Sequence, residues 1–257
     1  MKKIIALLLC GVLCFGTTAF AAEANQVSEP KEDLAKEFDN DFLKEAEYYV
    51  DKDGNFVFTK VSKENSIATR SGISEKECVS DCVVIAGVTE EAKEEIAVDI
   101  QKLRSGVEPL SSVDGSSVKN KWDTSGSIKA YLRVYYNEYT YGSGKQAMKI
   151  TKVTGGYATG SGSAIIGSGV SLKSQKMTMG QNGFTTPTGY TSSQKASYTK
   201  TGQNWSQSAP SSWKGVDIES SPYIIGANLT ITLGRGTGTW TVDIQNILAQ
   251  SGLSLYP

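Results

Sequence analysis

The sequence predicts an α+β protein: a helical, acidic N-terminal region followed by an antiparallel β-sandwich-like C-terminal domain. Three observations lead there. Charge switches near Ser117, because residues 23–117 carry 22 acidic and 11 basic side chains whereas residues 118–257 carry 5 and 13. The first stretch is rich in Glu, Lys and Ala, with apolar residues at three- and four-residue spacing as on one face of a helix. The second is rich in Gly, Ser, Thr and Tyr, with apolar residues at alternate positions as in half-buried strands.

At the start of the chain Lys2 and Lys3 precede the apolar run Ile4 to Phe15, and small residues lead to Ala19-Phe20-Ala21. This is the layout of a secretory signal peptide, with cleavage expected after Ala21. The run is shorter than the roughly 20 residues needed to span a bilayer. Leu9 and Leu13 precede Cys10 and Cys14 where a lipoprotein signal wants a small residue. The expectation is an exported chain, secreted or loosely held at the cell envelope, with no integral membrane span once the signal is removed. The predicted organisation is 1–21 signal peptide, 22–104 acidic and mainly helical, 105–117 linker, and 118–257 basic β domain.

In the acidic part, Ser28 and Pro30 open a helix whose stripe is Leu34, Phe38 and Phe42, running to about Glu47. Residues 48–61 read as a β-hairpin around Asp51-Lys52-Asp53-Gly54-Asn55. The alternating Asp51, Asp53 and Asn55 brush a calcium loop, but the glycine falls at the fourth place and Ser62 stands where a bidentate Glu is required. Ser74-Glu75-Lys76-Glu77 has the capping-box pattern, and Val79, Cys82, Val83 and Ala86 follow at helical spacing, predicting a short helix to Ala86. Thr89 caps another, with Glu90 and Glu91 in its first turn, Lys102 and Arg104 in its last, and Ala92, Ile96, Ile100 and Leu103 on its buried face.

The helix over Cys78 and Cys82 conflicts with a disulfide. On a helix their Cβ atoms lie about 5–6 Å apart, whereas a bridge needs about 3.8 Å. Either the helix starts after Cys82 and the pair closes a small loop, as an oxidising compartment favours, or both stay reduced and pack.

In the basic part, Ile128 to Tyr136 alternate, a second strand runs from Met148 to Val153, and Gly155 to Gly169 reads as a loop. Val170 and Leu172 differ in parity from Met177 and Met179, which predicts a bulge near Ser174 to Lys176. Leu229, Ile231 and Leu233 pair by pattern with Trp240, Val242 and Ile244 around the turn at 234–238, with Trp240 in the core.

The chain contains no histidine, which removes the Ser-His-Asp triad, the Cys-His pair and histidine zinc sites. No catalytic set, cofactor site or metal site is predicted. Ser-x-x-Lys occurs at Ser192, Ser197 and Ser211, and Lys200-Thr201-Gly202 matches a second motif of penicillin-recognising enzymes, but Ser-x-Asn is missing and Lys200 would have to serve twice. Asp123-Thr124-Ser125-Gly126 has one residue too many for an aspartic protease. Asp217 and Glu219 are the carboxylates that a glycosidase reading would use. Trp205 and Trp213, in Ser/Gln/Pro-rich surroundings, are the candidate ligand-facing aromatics, suited to sugar rings or polymer chains.

The stretch Gly226-Ala227-Asn228-Leu229-Thr230-Ile231-Thr232-Leu233-Gly234-Arg235-Gly236, followed by Trp240, resembles the C-terminal strand pair of uncharacterised small secreted proteins of Gram-positive bacteria. The resemblance covers about the last 30 residues and implies export and a β domain, with no site or activity. The expected function is a secreted non-enzymatic binding module for an anionic cell-wall polymer, a glycan or another protein, with no nucleic-acid partner. The alternatives are a toxin-like effector with an acidic pro-region and a carboxylate-dependent hydrolase.

Overall fold

A computed structural model describes residues 40–68, 73–86, 128–141, 144–159, 170–185, 189–191 and 194–253, together with Glu94, Ala97, Val98, Ile100, Gln101, Arg104 and Ser105. The signal peptide with its cleavage point after Ala21, the stripe residues Leu34 and Phe38, and all of the 105–117 linker except Ser105 lie outside the described residues.

The predicted α+β class is overturned. Strand makes up 72% and helix 7% of the structure, arranged as one curled, half-barrel antiparallel sheet. A short helix, α1 (Asn40–Glu45), leads into β1 (Glu47–Val50), β2 (Phe56–Ala68) and β3 (Ser74–Ala86). Then come β4 (Ile128–Thr140), β5 (Gln146–Thr159), β6 (Val170–Thr185), β7 (Gly189–Thr191), β8 (Lys195–Lys200), β9 (Asn204–Ser208), β10 (Val216–Asp217), β11 (Tyr223–Arg235) and β12 (Gly238–Ser251). The main path runs β1-β2-β3-β4-β5-β10-β6-β11-β12, with β9 added to β5 and β7 and β8 added to β6.

The largest correction is β3. Cys82-Val83-Val84-Ile85-Ala86 is a continuous apolar run, so it satisfies helical spacing without being helical. Three adjacent β-branched residues favour an extended backbone, and both faces of the strand are covered. Cys82, Val84 and Ala86 enter the main core, while Val83 and Ile85 enter a second cluster on the other side. Capping-box residues Ser74 and Glu77 are simply strand residues paired with Thr140 and Asn137.

The hairpin at 48–61 forms as predicted, with Tyr48 opposite Phe58 and Val50 opposite Phe56. Asp51 organises its turn: Oδ1 accepts from the backbone N–H of Asp53 and of Asn55, each at 2.9 Å. Gly54 takes the positive φ of 77° that the turn requires. In the predicted helix near 89–104, the six described residues Glu94, Ala97, Val98, Ile100, Gln101 and Arg104 are helical, and Ile100 is buried. The Gly155–Gly169 loop is corrected at its start, since β5 continues to Thr159. The predicted phase change in β6 occurs at Lys173, left out where Thr232 faces Ser174 and Leu233 faces Leu172.

The curl follows from how β5 and β6 are joined. Val216 of β10 pairs with Met148 of β5 and Thr185 of β6, tying the two strands at one end. Beyond β10 they part, and β9 and β8 line the opening. The sheet folds over, and β11 and β12 pack on β3–β5. The core between the layers takes Leu132 and Val134 from β4, Met177 and Met179 from β6, Leu229 and Ile231 from β11, and Val242 and Ile244 from β12. A smaller cluster on the outer face of β2–β4 joins Phe56, Phe58, Val83, Ile85 and Tyr131 to Phe42, Leu43 and Ala46 of the α1 region and to Ile100.

The charge boundary does not divide this sheet. β3, from the acidic stretch, pairs with β4, from the basic stretch, continuously from Ser74↔Thr140 to Ala86↔Ile128. Opposite charges meet across it: Arg133 Nε donates to Asp81 Oδ1 at 2.6 Å, and Lys63 lies 3.4 Å from Glu138.

Candidate functional site

Alternation along β6, β8, β11 and β12 sends their apolar residues inward and a set of small polar residues to the opposite face. Strand register assembles these into cross-strand rows. Ser197, Thr178, Asn228 and Gln245 form one row; Thr199, Lys176, Thr230 and Asp243 form the next; Ser174, Thr232 and Thr241 form a third. Beside Asn228, Gly226 faces Gly180, which faces Lys195, so the two central strands there carry no side chains above the backbone. Neighbouring strands stand about 4.8 Å apart and successive same-face residues about 6.7 Å apart, giving a regular lattice of hydroxyl, amide and ionic groups.

Parts of this lattice are tied together. Thr178 Oγ1 and Ser197 Oγ share a hydrogen bond of 2.8 Å, and Thr230 Oγ1 donates to Asp243 Oδ1 at 2.5 Å. Asn228 differs. It is 4% exposed, projects from the side opposite Ala227 and Leu229, and its Oδ1 has no hydrogen-bond partner. A buried acceptor left unpaired costs about 1–3 kcal/mol, and this oxygen is closed off from solvent as well as unpaired.

A second concave feature lies on the outer face of β2–β4 beside α1, about 280 Å³ in volume and lined by Asp41, Glu45, Lys60, Ser62, Asp81 and Arg133. Two ion pairs close within it. Arg133 grips Asp81 with a second contact of 3.3 Å from Nη2 to Oδ2, and Lys60 donates to Glu45 at 2.5 Å. That hydrogen bond holds the Glu45 carboxyl below its usual range. The arrangement fastens α1 to the sheet.

The candidate ligand-facing aromatics, Trp205 and Trp213, do not share an exposed face. Trp213 is 7% exposed and belongs to the main core. Trp205 is half-buried against that core, its Nε1 donates to Gln175 Oε1 at 3.2 Å, and the Lys200 ammonium lies 5.4 Å from its ring centre and 5.1 Å from that of Tyr198. Burial lowers the Lys200 pKa. These groups close the opening between β8 and β9. Trp240, expected in the core, is 41% exposed.

Cys78 and Cys82 are both buried and free. On a strand, residues four apart lie about 13 Å apart, beyond the roughly 5.5 Å between Cα atoms that a bridge requires, so of the two alternatives for the pair the reduced, packed one holds. Ser197 and Lys200 project from opposite faces of β8, which separates the two groups of that Ser-x-x-Lys match. Asp217 is 2% exposed and anchors its own loop: Oδ1 accepts from the N–H of Glu219 at 2.8 Å and of Ser220 at 3.2 Å, and Oδ2 accepts from Ser220 Oγ at 3.1 Å. It does not stand open beside Glu219 as a carboxylate pair. No helix among the described residues is long and apolar enough to cross a membrane.

The polar face was present in the sequence as Asn228-x-Thr230-x-Thr232 and Thr241-x-Asp243-x-Gln245, the complement of the apolar alternation. Comparison with protein-family models, with curated proteins and with solved structures returns no match for this chain.

Proposed function

We propose that the chain is an exported, non-enzymatic binding protein that holds an extended, hydroxyl-rich glycan of the cell envelope against the outer face of β8, β6, β11 and β12. Export rests on the pattern Lys2 to Ala21. The observation that carries the binding reading is the set of cross-strand rows of hydroxyl, amide and ionic side chains that β8, β6, β11 and β12 bring into one register. Sugar hydroxyls both donate and accept, and these rows offer both kinds of partner at regular spacing. Lys176 and Lys195 stand on the same face and suit a polymer that also carries anionic groups. An acidic pro-segment released by cutting the 105–117 stretch fits less well, because β3 supplies core residues and a full ladder to β4.

The test is retention of the full-length chain on purified cell wall and on a panel of insoluble neutral and anionic polysaccharides, across a salt series. The double variant Thr232→Val with Gln245→Leu should weaken retention about tenfold. Lys176→Glu should abolish the salt-sensitive part, and Trp205→Phe should leave retention unchanged. Wild-type protein that passes through every matrix, or face variants that bind like wild type, would reject the reading.

A further inference from the structure

The sheet has two ends, and they are built differently. At one end β1 has four residues, begins with Glu47 and runs into Asp51-Lys52-Asp53. Short length and charge are the usual protections of an edge strand. At the other end β12 has fourteen residues and, among the described residues, is hydrogen-bonded on one side only, to β11. It has no proline, lysine or arginine, and its one charged residue is Asp243. One oxygen of that carboxylate accepts from Thr230 on the β11 side, at 2.5 Å. The bulge that leaves out Leu248 sits near the far end, so Gly238–Ile247 is a ten-residue unbulged edge containing Thr239, Trp240, Thr241, Val242 and Ile244, all strong strand formers.

The geometry points to a second copy of this chain as the occupant of that edge, joined by antiparallel pairing of β12 with its counterpart about a two-fold axis through Val242. Opposite residues in an antiparallel ladder point to the same side, so this register can be checked residue by residue. On the polar face Thr241 meets the partner's Asp243 and Thr239 meets the partner's Gln245, a hydroxyl opposite an acceptor each time. On the core side Val242 meets the partner's Val242 and Trp240 meets the partner's Ile244, all apolar. Trp240, 41% exposed in the single chain, is thereby covered. Sliding each strand so that the axis passes through Asp243 places two carboxylates opposite one another, which is destabilising. The contact is isologous and closes after two copies. It sets two polar faces side by side in one continuous sheet, whatever those faces bind.

Sedimentation equilibrium of the full-length chain, over a concentration series up to about 0.5 mM, tests it. Wild type should pass from monomer to dimer. Thr241→Asp, a substitution at an exposed position whose single chain should keep the wild-type circular dichroism spectrum, puts Asp opposite Asp twice per dimer and should weaken association about tenfold. Adding Asp243→Lys to it places Lys opposite Asp and should restore association to within about threefold of wild type. A wild-type chain that stays monomeric throughout overturns the proposal. So does a dimer indifferent to Thr241→Asp, or one that the double variant does not recover.

Discussion

Asn246 and Ser80, 166 residues apart, hold the two layers together by a reciprocal contact: the Asn246 amide donates to the Ser80 carbonyl oxygen at 2.8 Å while its Oδ1 accepts from Ser80 Oγ at 2.7 Å. The same amide nitrogen reaches the Leu132 carbonyl at 3.1 Å. All of this lies inside an apolar core, where a polar group without a partner is heavily penalised. Asn246→Leu removes the donors from both carbonyls and the acceptor from Ser80, and should lower stability by about 3 kcal/mol in urea unfolding. Gln245→Leu, one residue along on the solvent face, should stay within about 0.5 kcal/mol. Equal losses for the two would show that the contact does not hold the layers.

Burial pushes the Cys82 thiol up from 9.0 to about 12, and burial raises Cys78 and Tyr136 in the same direction. The native protein should therefore resist alkylation at Cys78 and Cys82 near neutral pH, and both should label as free thiols in denaturant, as peptide mapping will show. The linkage has a definite sign. The folded chain keeps the Cys82 proton between about pH 9 and about pH 12 where the unfolded chain releases it. That stability is complete below about pH 9 and is lost as pH rises through about pH 12. Urea midpoints should fall steeply between about pH 9 and about pH 11, and Cys82→Ala should flatten the fall. A profile unchanged by that substitution would remove Cys82 as a contributor.

An element of this fold is legible in the sequence where the deciding information is local. Strands β11 and β12 were legible because Leu229, Ile231 and Leu233 alternate with threonines and a glycine turn follows. The 48–61 hairpin was legible because Asp51 and Gly54 form a self-contained turn. β3 was misread because burial on both faces erases the period of two, leaving its β-branched content as the better guide. Trp213 stays ambiguous in the sequence because its polar neighbours suggest a surface loop, whereas the loop is pinned inward by Gln194, whose side chain bonds the Lys214 N–H at 2.5 Å and carbonyl at 3.0 Å. The polar face was half-legible: the hydroxyl alternation is local, but its joining into rows depends on β8, β6 and β11 meeting in one register.

The pairing of β3 with β4 bears on the 105–117 stretch. A single proteolytic cut there should yield two bands on a denaturing gel and one species on native size exclusion. The pieces share a ladder from Ser74 to Ala86, the Arg133–Asp81 pair and the main core. Elution of the two pieces as separate folded species would contradict this sharing.

Among the described glycines, Gly156 is the position where one added methyl group should do most harm. A Cβ there would lie 1.8 Å from the Gln203 carbonyl oxygen and 3.0 Å from the Tyr131 hydroxyl, and its φ of 155° disfavours other residues. That carbonyl already accepts from the Tyr157 N–H at 3.0 Å and from the Tyr131 hydroxyl at 3.4 Å. Gly156→Ala must therefore push β9 away from β5. Trp205 is carried on β9 and packs on Gly155 so closely that a Cβ at that glycine would come within 2.8 Å of the indole. Displacement of β9 should lift the ring from Gln175 and admit water beside it. The expected outcome is a loss of about 3 kcal/mol or more, a red shift of tryptophan emission, and a Lys200 pKa that moves back up as its burial is relieved. Gly215→Ala, where the nearest atom would be at an ordinary 3.7 Å, should change stability by less than about 0.5 kcal/mol. Comparable stability of the two variants would mean that β9 is held by something other than its close approach to β5.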